Sequence, residues 1–164
     1  MTTFNETLIP YRPNRNPDTT PVKEVFTNPE AGTNCELLVH AIVQARGFVL
    51  PSGIRSSELY YDTQYTETIE DVSQAQTGDI IGLAPLEKVG FKGIHMGVIW
   101  RDQTNRIHIV HNAKHTGAVQ TQDLEKAMQY RGHKKIAWIK RPIVQASSFV
   151  DSEALKKIGL DYLA

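Results

Sequence analysis

Cysteine is almost absent from this sequence. Cys35 is the one cysteine among its 164 residues, so no disulfide can form within the chain, and a core of apolar residues must hold the fold together. This cysteine usage fits a reducing compartment. It also leaves the thiol of Cys35 free for chemistry.

The sequence also lacks an excess of charge of either sign and a long apolar run. Lys and Arg together number 18, as do Asp and Glu, so no overall field favours nucleic acid or an anionic surface. No segment has the length and apolarity of a membrane span, and the N-terminus lacks the pattern of a signal peptide. We therefore expect a cytoplasmic protein that neither binds nucleic acid nor inserts into a membrane. Export by a machinery that needs no N-terminal signal stays open.

The composition indicates one globular domain. Hydrophobic residues make up 40% of the chain and charged residues 22%, which excludes a disordered or fibrous protein. Four prolines fall within residues 1–22, so we expect an extended N-terminal arm there. We place the main domain at residues 23–142 and a C-terminal tail with a weak helix at residues 143–164.

Cys35 lies where a helix is predicted to begin. Thr33 and Glu36 have the spacing of a capping box, and an apolar run follows until Arg46 and Gly47 end the helix. Apolar residues at nearly every position indicate a central helix that is buried on most sides. A thiol in its first turn feels the positive end of the helix dipole, which lowers the pKa of the thiol and favours the thiolate.

Strands are predicted to dominate the second half of the chain. A short helix from Ser56 to Tyr61 and a loop at 62–77 come first. The candidate strands are I-I-G-L-A, I-H-M-G-V-I-W, R-I-H-I-V-H-N and K-K-I-A-W-I-K-R, and a further helix is predicted from Thr121 to Arg131. This order predicts an α+β fold in which a central N-terminal helix packs on an antiparallel β-sheet.

Two histidines are predicted to share one face of a hairpin. Because side chains alternate along a strand, a loop of three or five residues in which the numbers of paired positions sum to 206 would set His95 directly opposite His111, with their Cβ atoms about 5 Å apart, and a loop of two or four residues would not. If the central helix packs on that face, Cys35 comes to lie beside His95. Cys35 is then the candidate nucleophile, His95 its base and His111 the residue that orients the base.

A metal site is not expected from the sequence. His108, His111 and His115 have short spacings that suit zinc, but strand alternation points His108 and His111 to opposite faces. His40 projects from another face of the central helix than Cys35 does. We therefore predict neither a metal nor a cofactor.

Four short segments follow one another in the order G-T-N-C-E-L, T-G-D-I-I, H-M-G-V-I-W and I-V-H-N-A. Their order resembles that of the NlpC family of papain-like cell-wall peptidases, whose members typically carry D-C-S-G, P-G-D-L, H-V-G-I-Y and I-H-A. The resemblance spans residues 29–142. It implies a papain-like catalytic domain, and it assigns the nucleophile, the base and the orienting residue to Cys35, His95 and His111.

The resemblance also implies an activity. Members of the family hydrolyse amide bonds through an acyl-enzyme on the cysteine, so we expect a bacterial thiol peptidase or amidase. Its expected substrate is a peptide or muropeptide, above all a peptidoglycan stem peptide. Asn34, Glu36 and Leu37 stand where the family usually has Asp, Ser and Gly, positions that help to shape the substrate site in relatives.

Three other functions fit the same residues. An acyltransferase or deamidase would use the same acyl-enzyme. An exported antibacterial amidase would have a neutralising immunity protein as its partner. A non-catalytic binding domain would keep the fold and leave the thiol unused.

Overall fold

The computed structural model describes residues 8–146 and 152–164. Its helices are α1 (Lys23–Thr27), α2 (Cys35–Ala45), α3 (Ser56–Tyr61), α4 (Leu124–Ala127) and α5 (Ser152–Lys157). Its strands are β1 (Thr66–Thr68), β2 (Ile80–Ala84), β3 (His95–Arg101), β4 (Ile107–Asn112), β5 (Val119–Asp123) and β6 (Lys135–Pro142). Short 3₁₀ turns lie at Pro29–Ala31, Val72–Gln74, Arg131–His133 and Asp161–Leu163. Within the described residues, every helix is too short or too polar to cross a bilayer.

The strands form one six-stranded sheet in the order β1-β6-β2-β3-β4-β5. All of the neighbouring pairs are antiparallel. This confirms the predicted combination of helices with an antiparallel sheet. The predicted helix α3 and the predicted strands β2, β3, β4 and β6 are present. Strand β1 was not expected, because it lies within the polar segment that the sequence indicates as loop.

Helix α2 is the central helix, and most of its side chains are buried. It begins after Asn34, whose side chain accepts a hydrogen bond of 2.8 Å from the backbone N–H of Leu37. The predicted capping box of Thr33 and Glu36 is wrong, because Asn34 is the residue that caps the first turn. The predicted end of the helix at Arg46 is confirmed.

The sheet carries an apolar cluster on each face. Met96 and Val110 belong to the larger cluster, together with α2 residues such as Ile42. Ile99 belongs to a second cluster with residues of α4. Since side chains alternate along β3, His95 lies on the α4 face. The prediction that the central helix packs on the histidine face is therefore wrong.

Strands β3 and β4 form the predicted hairpin, with a five-residue loop at 102–106. The register pairs Val98 with Val110, whereas the predicted register would pair Val98 with His108. The two registers differ by two residues, so His95 and His111 are not directly opposite each other. Both still lie on one face, because a shift of two residues preserves the alternation.

The prediction of one helix from Thr121 to Arg131 is wrong. Thr121 lies in β5 and pairs with Val110 of β4. Helix α4 begins only after Asp123, whose side chain accepts a hydrogen bond from the backbone N–H of Lys126. Pairing with β4 decides the conformation of this segment, because strand formation depends on neighbours more than on local propensity.

Both ends of the described chain contribute to the core. Ile9 is buried, and Pro10 forms an isolated bridge with Ala118. Helix α5 confirms the weak helical pattern of the tail. Its Leu155 is fully buried in the apolar cluster on the α2 face. The arm and the tail therefore pack with the main domain.

Candidate active site

Cys35 is the first residue of α2 and is partly exposed. Hydrogen bonding to its sulfur from the backbone N–H groups of Cys35, Glu36 and Met96 favours the thiolate. Burial acts more strongly in the opposite direction and, together with the charge of Glu36, raises the pKa of the thiol to about 11. The predicted lowering of this pKa is therefore wrong, and Cys35 is a neutral thiol near pH 7.

The carboxylate of Glu36 is held by groups outside the helix. It accepts hydrogen bonds from the guanidinium of Arg55 and, at 3.2 Å, from the backbone N–H of Ser56. Arg55 also donates to Asp18 in the N-terminal arm at 2.6 Å. This network ties the arm and the start of α3 to the first turn of α2. Glu36 therefore has a structural role beside Cys35.

A direct hydrogen bond joins His95 and His111. Nε2 of His95 lies 2.8 Å from Nδ1 of His111. On its other side, Nε2 of His111 lies 2.7 Å from Oε1 of Gln122 in β5. The structure thus brings together the predicted base and the predicted orienting residue, although they are not directly paired across the strands.

The side-chain oxygen of Gln122 fixes the proton positions on both rings. Because Oε1 only accepts, His111 carries its proton on Nε2 and presents a bare Nδ1. His95 then donates from Nε2, and its Nδ1 keeps a lone pair. Burial holds the pKa of His95 well below its usual value and lowers that of His111 to about 4, so both rings are neutral at pH 7. His95 therefore has the form of a general base.

A third imidazole, that of His133, lies against this pair. Its ring stacks on that of His95, with 4.1 Å between the centroids and 11° between the planes. Burial, followed by the influence of His111, lowers the pKa of His133 to about 4. Its Nδ1 is buried and has no hydrogen-bond partner in the described part of the chain. The cluster therefore contains one nitrogen with an unused lone pair or proton.

Cys35 approaches the sheet at the backbone of Met96, near the start of β3. Met96, whose backbone N–H acts on the sulfur, directly follows His95 in the chain. Across residues 8–146 and 152–164, no hydrogen bond joins the thiol of Cys35 to the imidazole of His95. A proton transfer between them would require the two side chains to approach each other.

Of the remaining histidines, His40 and His108 lie outside the cluster, whereas the ring of His115 lies 5.2 Å from that of His133 at its edge. His108 bonds to Asp102 at 2.8 Å and contacts the ring of Trp100, so its predicted separation from His111 is confirmed. His40 bonds to the carbonyl oxygen of Ile54 at 2.9 Å. His115 is exposed and stacks on Tyr130.

Two residues of the site are not singled out by the sequence. Gln122 falls within the predicted helix, and the alternation V-Q-T-Q-D was the one sign of a strand there. His133 lies between two predicted elements, and no pattern links it to the hairpin. Both reach the site through long-range packing.

Comparison of the chain with protein-family models, with curated proteins and with solved structures finds no match. The geometry of the site and the motif resemblance are therefore the grounds for a functional proposal.

Proposed function

We propose that this protein is a cysteine hydrolase of the papain-like NlpC type that cleaves amide bonds. Cys35 is the nucleophile, His95 the general base and His111 the residue that positions the base. The observation that carries the proposal is the hydrogen-bonded chain from Gln122 through His111 to His95, because it leaves a lone pair on Nδ1 of His95. A neutral imidazole with a free lone pair is what a thiol nucleophile requires of its base.

The neutral state of the Cys35 thiol implies that deprotonation accompanies attack. His95 Nδ1 takes the proton while the sulfur bonds to the carbonyl carbon and the carbonyl electron pair moves to oxygen. The backbone N–H of Cys35, at the start of α2, donates to this oxyanion. The imidazolium then protonates the leaving amine, the C–N bond breaks, and a thioester remains on Cys35.

Water completes the reaction. His95 removes a proton from a water molecule as its oxygen attacks the thioester carbonyl, and the proton passes to the sulfur as the carboxylic acid leaves. His111 accepts the Nε2–H of His95 throughout, which supports the imidazolium that forms in each half-reaction.

The motif resemblance makes a peptidoglycan stem peptide the first substrate to test. The three positions that differ from the family motif serve the fold in this chain. Asn34 caps α2, Glu36 binds Arg55, and Leu37 is fully buried. Substrate selectivity therefore rests on other groups around Cys35.

The proposal is tested by incubating the purified full chain with muropeptides and identifying the products by mass spectrometry. We expect cleaved stem peptides from the parent and from His108→Asn, a matched control because His108 lies outside the cluster. Cys35→Ala and His95→Ala should release none. Identical products from Cys35→Ala would overturn the proposal, and transfer of the acyl group to an added amine in place of water would identify an acyltransferase.

A second measurement separates the chemistry from the choice of substrate. An activated ester, such as a p-nitrophenyl ester, should acylate Cys35, seen as a mass increase on its peptide. His95→Ala should slow this acylation by about 100-fold or more, the usual contribution of a general base. If the ester acylates Cys35 and muropeptides stay intact, peptidoglycan is excluded as the substrate. If Cys35 of the parent is not acylated, the hydrolase proposal fails.

A further inference from the structure

Three imidazole rings lie close together near the start of β3. They belong to His95 in β3, His111 in β4 and His133 in the turn before β6. One nitrogen from each ring lies within 4.8 Å of the other two. We infer that these three rings form a binding site for a divalent transition-metal ion such as Zn²⁺, and that the bound ion switches off the base of the proposed hydrolase.

The buried Nδ1 of His133 is the observation that points to a ligand. Buried ring nitrogens are normally hydrogen-bonded, and this one has no partner among the residues that the structure describes. Stacking on His95 holds the ring in the cluster. A metal ion bound through this nitrogen would be the partner that it lacks.

The donor set suits a zinc-like ion. Neutral imidazole is a common ligand of Zn²⁺, Cu²⁺ and Ni²⁺, and three histidines leave a fourth position for water or another ligand. His111 has the outer contact that such ligands usually have, because its second nitrogen bonds to Gln122 at 2.7 Å. Gln122 therefore orients the Nδ1 lone pair of His111 toward the site.

Binding an ion requires the three rings to rearrange, because His133 stacks on His95 with 11° between the ring planes. Two nitrogens held about 2.1 Å from a tetrahedral ion lie about 3.4 Å apart. His95 Nε2 and His111 Nδ1 are now 2.8 Å apart and share a proton. Metal binding would replace this hydrogen bond, and the two nitrogens would separate by about half an ångström while His133 turns out of its stack on His95 to direct a lone pair at the ion.

Binding changes the tautomer of His95. When Nε2 of a neutral imidazole binds a metal ion, its proton must reside on Nδ1. Nδ1 is the atom that accepts the thiol proton in the proposed mechanism, so the metal-bound ring cannot act as the base. This inhibitory consequence rests on the proposed function, whereas metal binding itself does not.

Cobalt(II) is the probe for the site, because its visible spectrum reports coordination geometry. We expect the full chain to bind one Co²⁺ with a tetrahedral spectrum. His133→Asn should bind at least about tenfold more weakly, because it removes a direct ligand and even the loss of an outer contact costs that much. His108→Asn, the matched control, should bind as the parent does, and Cys35→Ala should give the parent spectrum. Absence of stoichiometric binding, or unchanged binding by His133→Asn, would overturn the site.

Imidazole ¹⁵N shifts of the unmodified protein provide a test that does not depend on the folding of a variant. Addition of Zn²⁺ should move the resonances of His95, His111 and His133 and leave that of His108 in place. A different set of shifted histidines would contradict the assignment.

The inhibitory role of the bound ion is tested by measuring acylation of Cys35 by the activated ester. Saturating Zn²⁺ should abolish acylation, and a chelator should restore it. If acylation proceeds at the parent rate with Zn²⁺ bound, or accelerates, the inhibitory role fails and the proposed hydrolase stands. If Co²⁺ binds as expected and no acylation occurs in the metal-free protein, the hydrolase proposal fails and the metal site stands.

Discussion

His95 and His111 share a hydrogen bond of 2.8 Å between neighbouring strands, although the register does not place them opposite each other. The bond is diagonal, which long side chains on one face of a sheet can reach. Gln122 lies at the far end of this pair and bonds to the second nitrogen of His111. The tautomer of the proposed base is thus set from two strands away.

Replacing Gln122 by Leu is expected to reverse the two histidine tautomers. The Nε2–H of His111 would lose its acceptor, which costs about 1–3 kcal/mol in a buried site. In each ring the proton would then move from Nε2 to Nδ1. His111 would donate from Nδ1 to a bare Nε2 of His95, and Nδ1 of His95 would carry a proton. Acylation of Cys35 should fall by about tenfold or more. Imidazole ¹⁵N shifts report the tautomers directly.

Gln120→Leu is the control for this change. Gln120 is directly paired with His111 in the register but is exposed, so its replacement should leave both the tautomers and the acylation rate unchanged. If Gln122→Leu keeps the parent tautomers, Gln122 does not position the pair.

Alkylation of Cys35 by iodoacetamide is expected to be slow at neutral pH. Its pKa is raised from 9.0 to about 11, which leaves about 100-fold less thiolate near pH 7 than in an ordinary thiol. The rate, followed by mass spectrometry, should rise up to about pH 11. Glu36→Gln should react faster than the parent, because the charge of Glu36 raises this pKa. A rate that levels off below pH 8 would contradict the neutral thiol.

Truncation of Leu155 is expected to destabilise the whole domain. Leu155 of α5 is fully buried in the cluster that also contains α2 residues, and a buried Leu→Ala change costs about 2–5 kcal/mol. Urea unfolding should show a lower midpoint with an unchanged slope. Lys156→Ala, at the exposed neighbouring position, should leave the midpoint within error. An unchanged midpoint for Leu155→Ala would show that the tail is not part of the core.

The sequence predicts those elements best whose pattern is local. The apolar run of α2 ends where expected, at Arg46, and the predicted strand segments of β2, β3, β4 and β6 are all present. It fails at Thr121, where a helix was predicted and pairing with β4 makes a strand. Local propensity cannot report a pairing partner that lies ten or more residues away.

The sequence by itself determined the residues that carry the proposed chemistry: one thiol at a helix start and two histidines on one face of two neighbouring strands. Only the tertiary structure decided that α2 covers the opposite face, that the thiol is neutral, and that Gln122 and His133 complete the cluster. The reason is physical. Alternation fixes which side chains share a face, whereas register, burial and contacts between distant segments depend on how the whole chain packs.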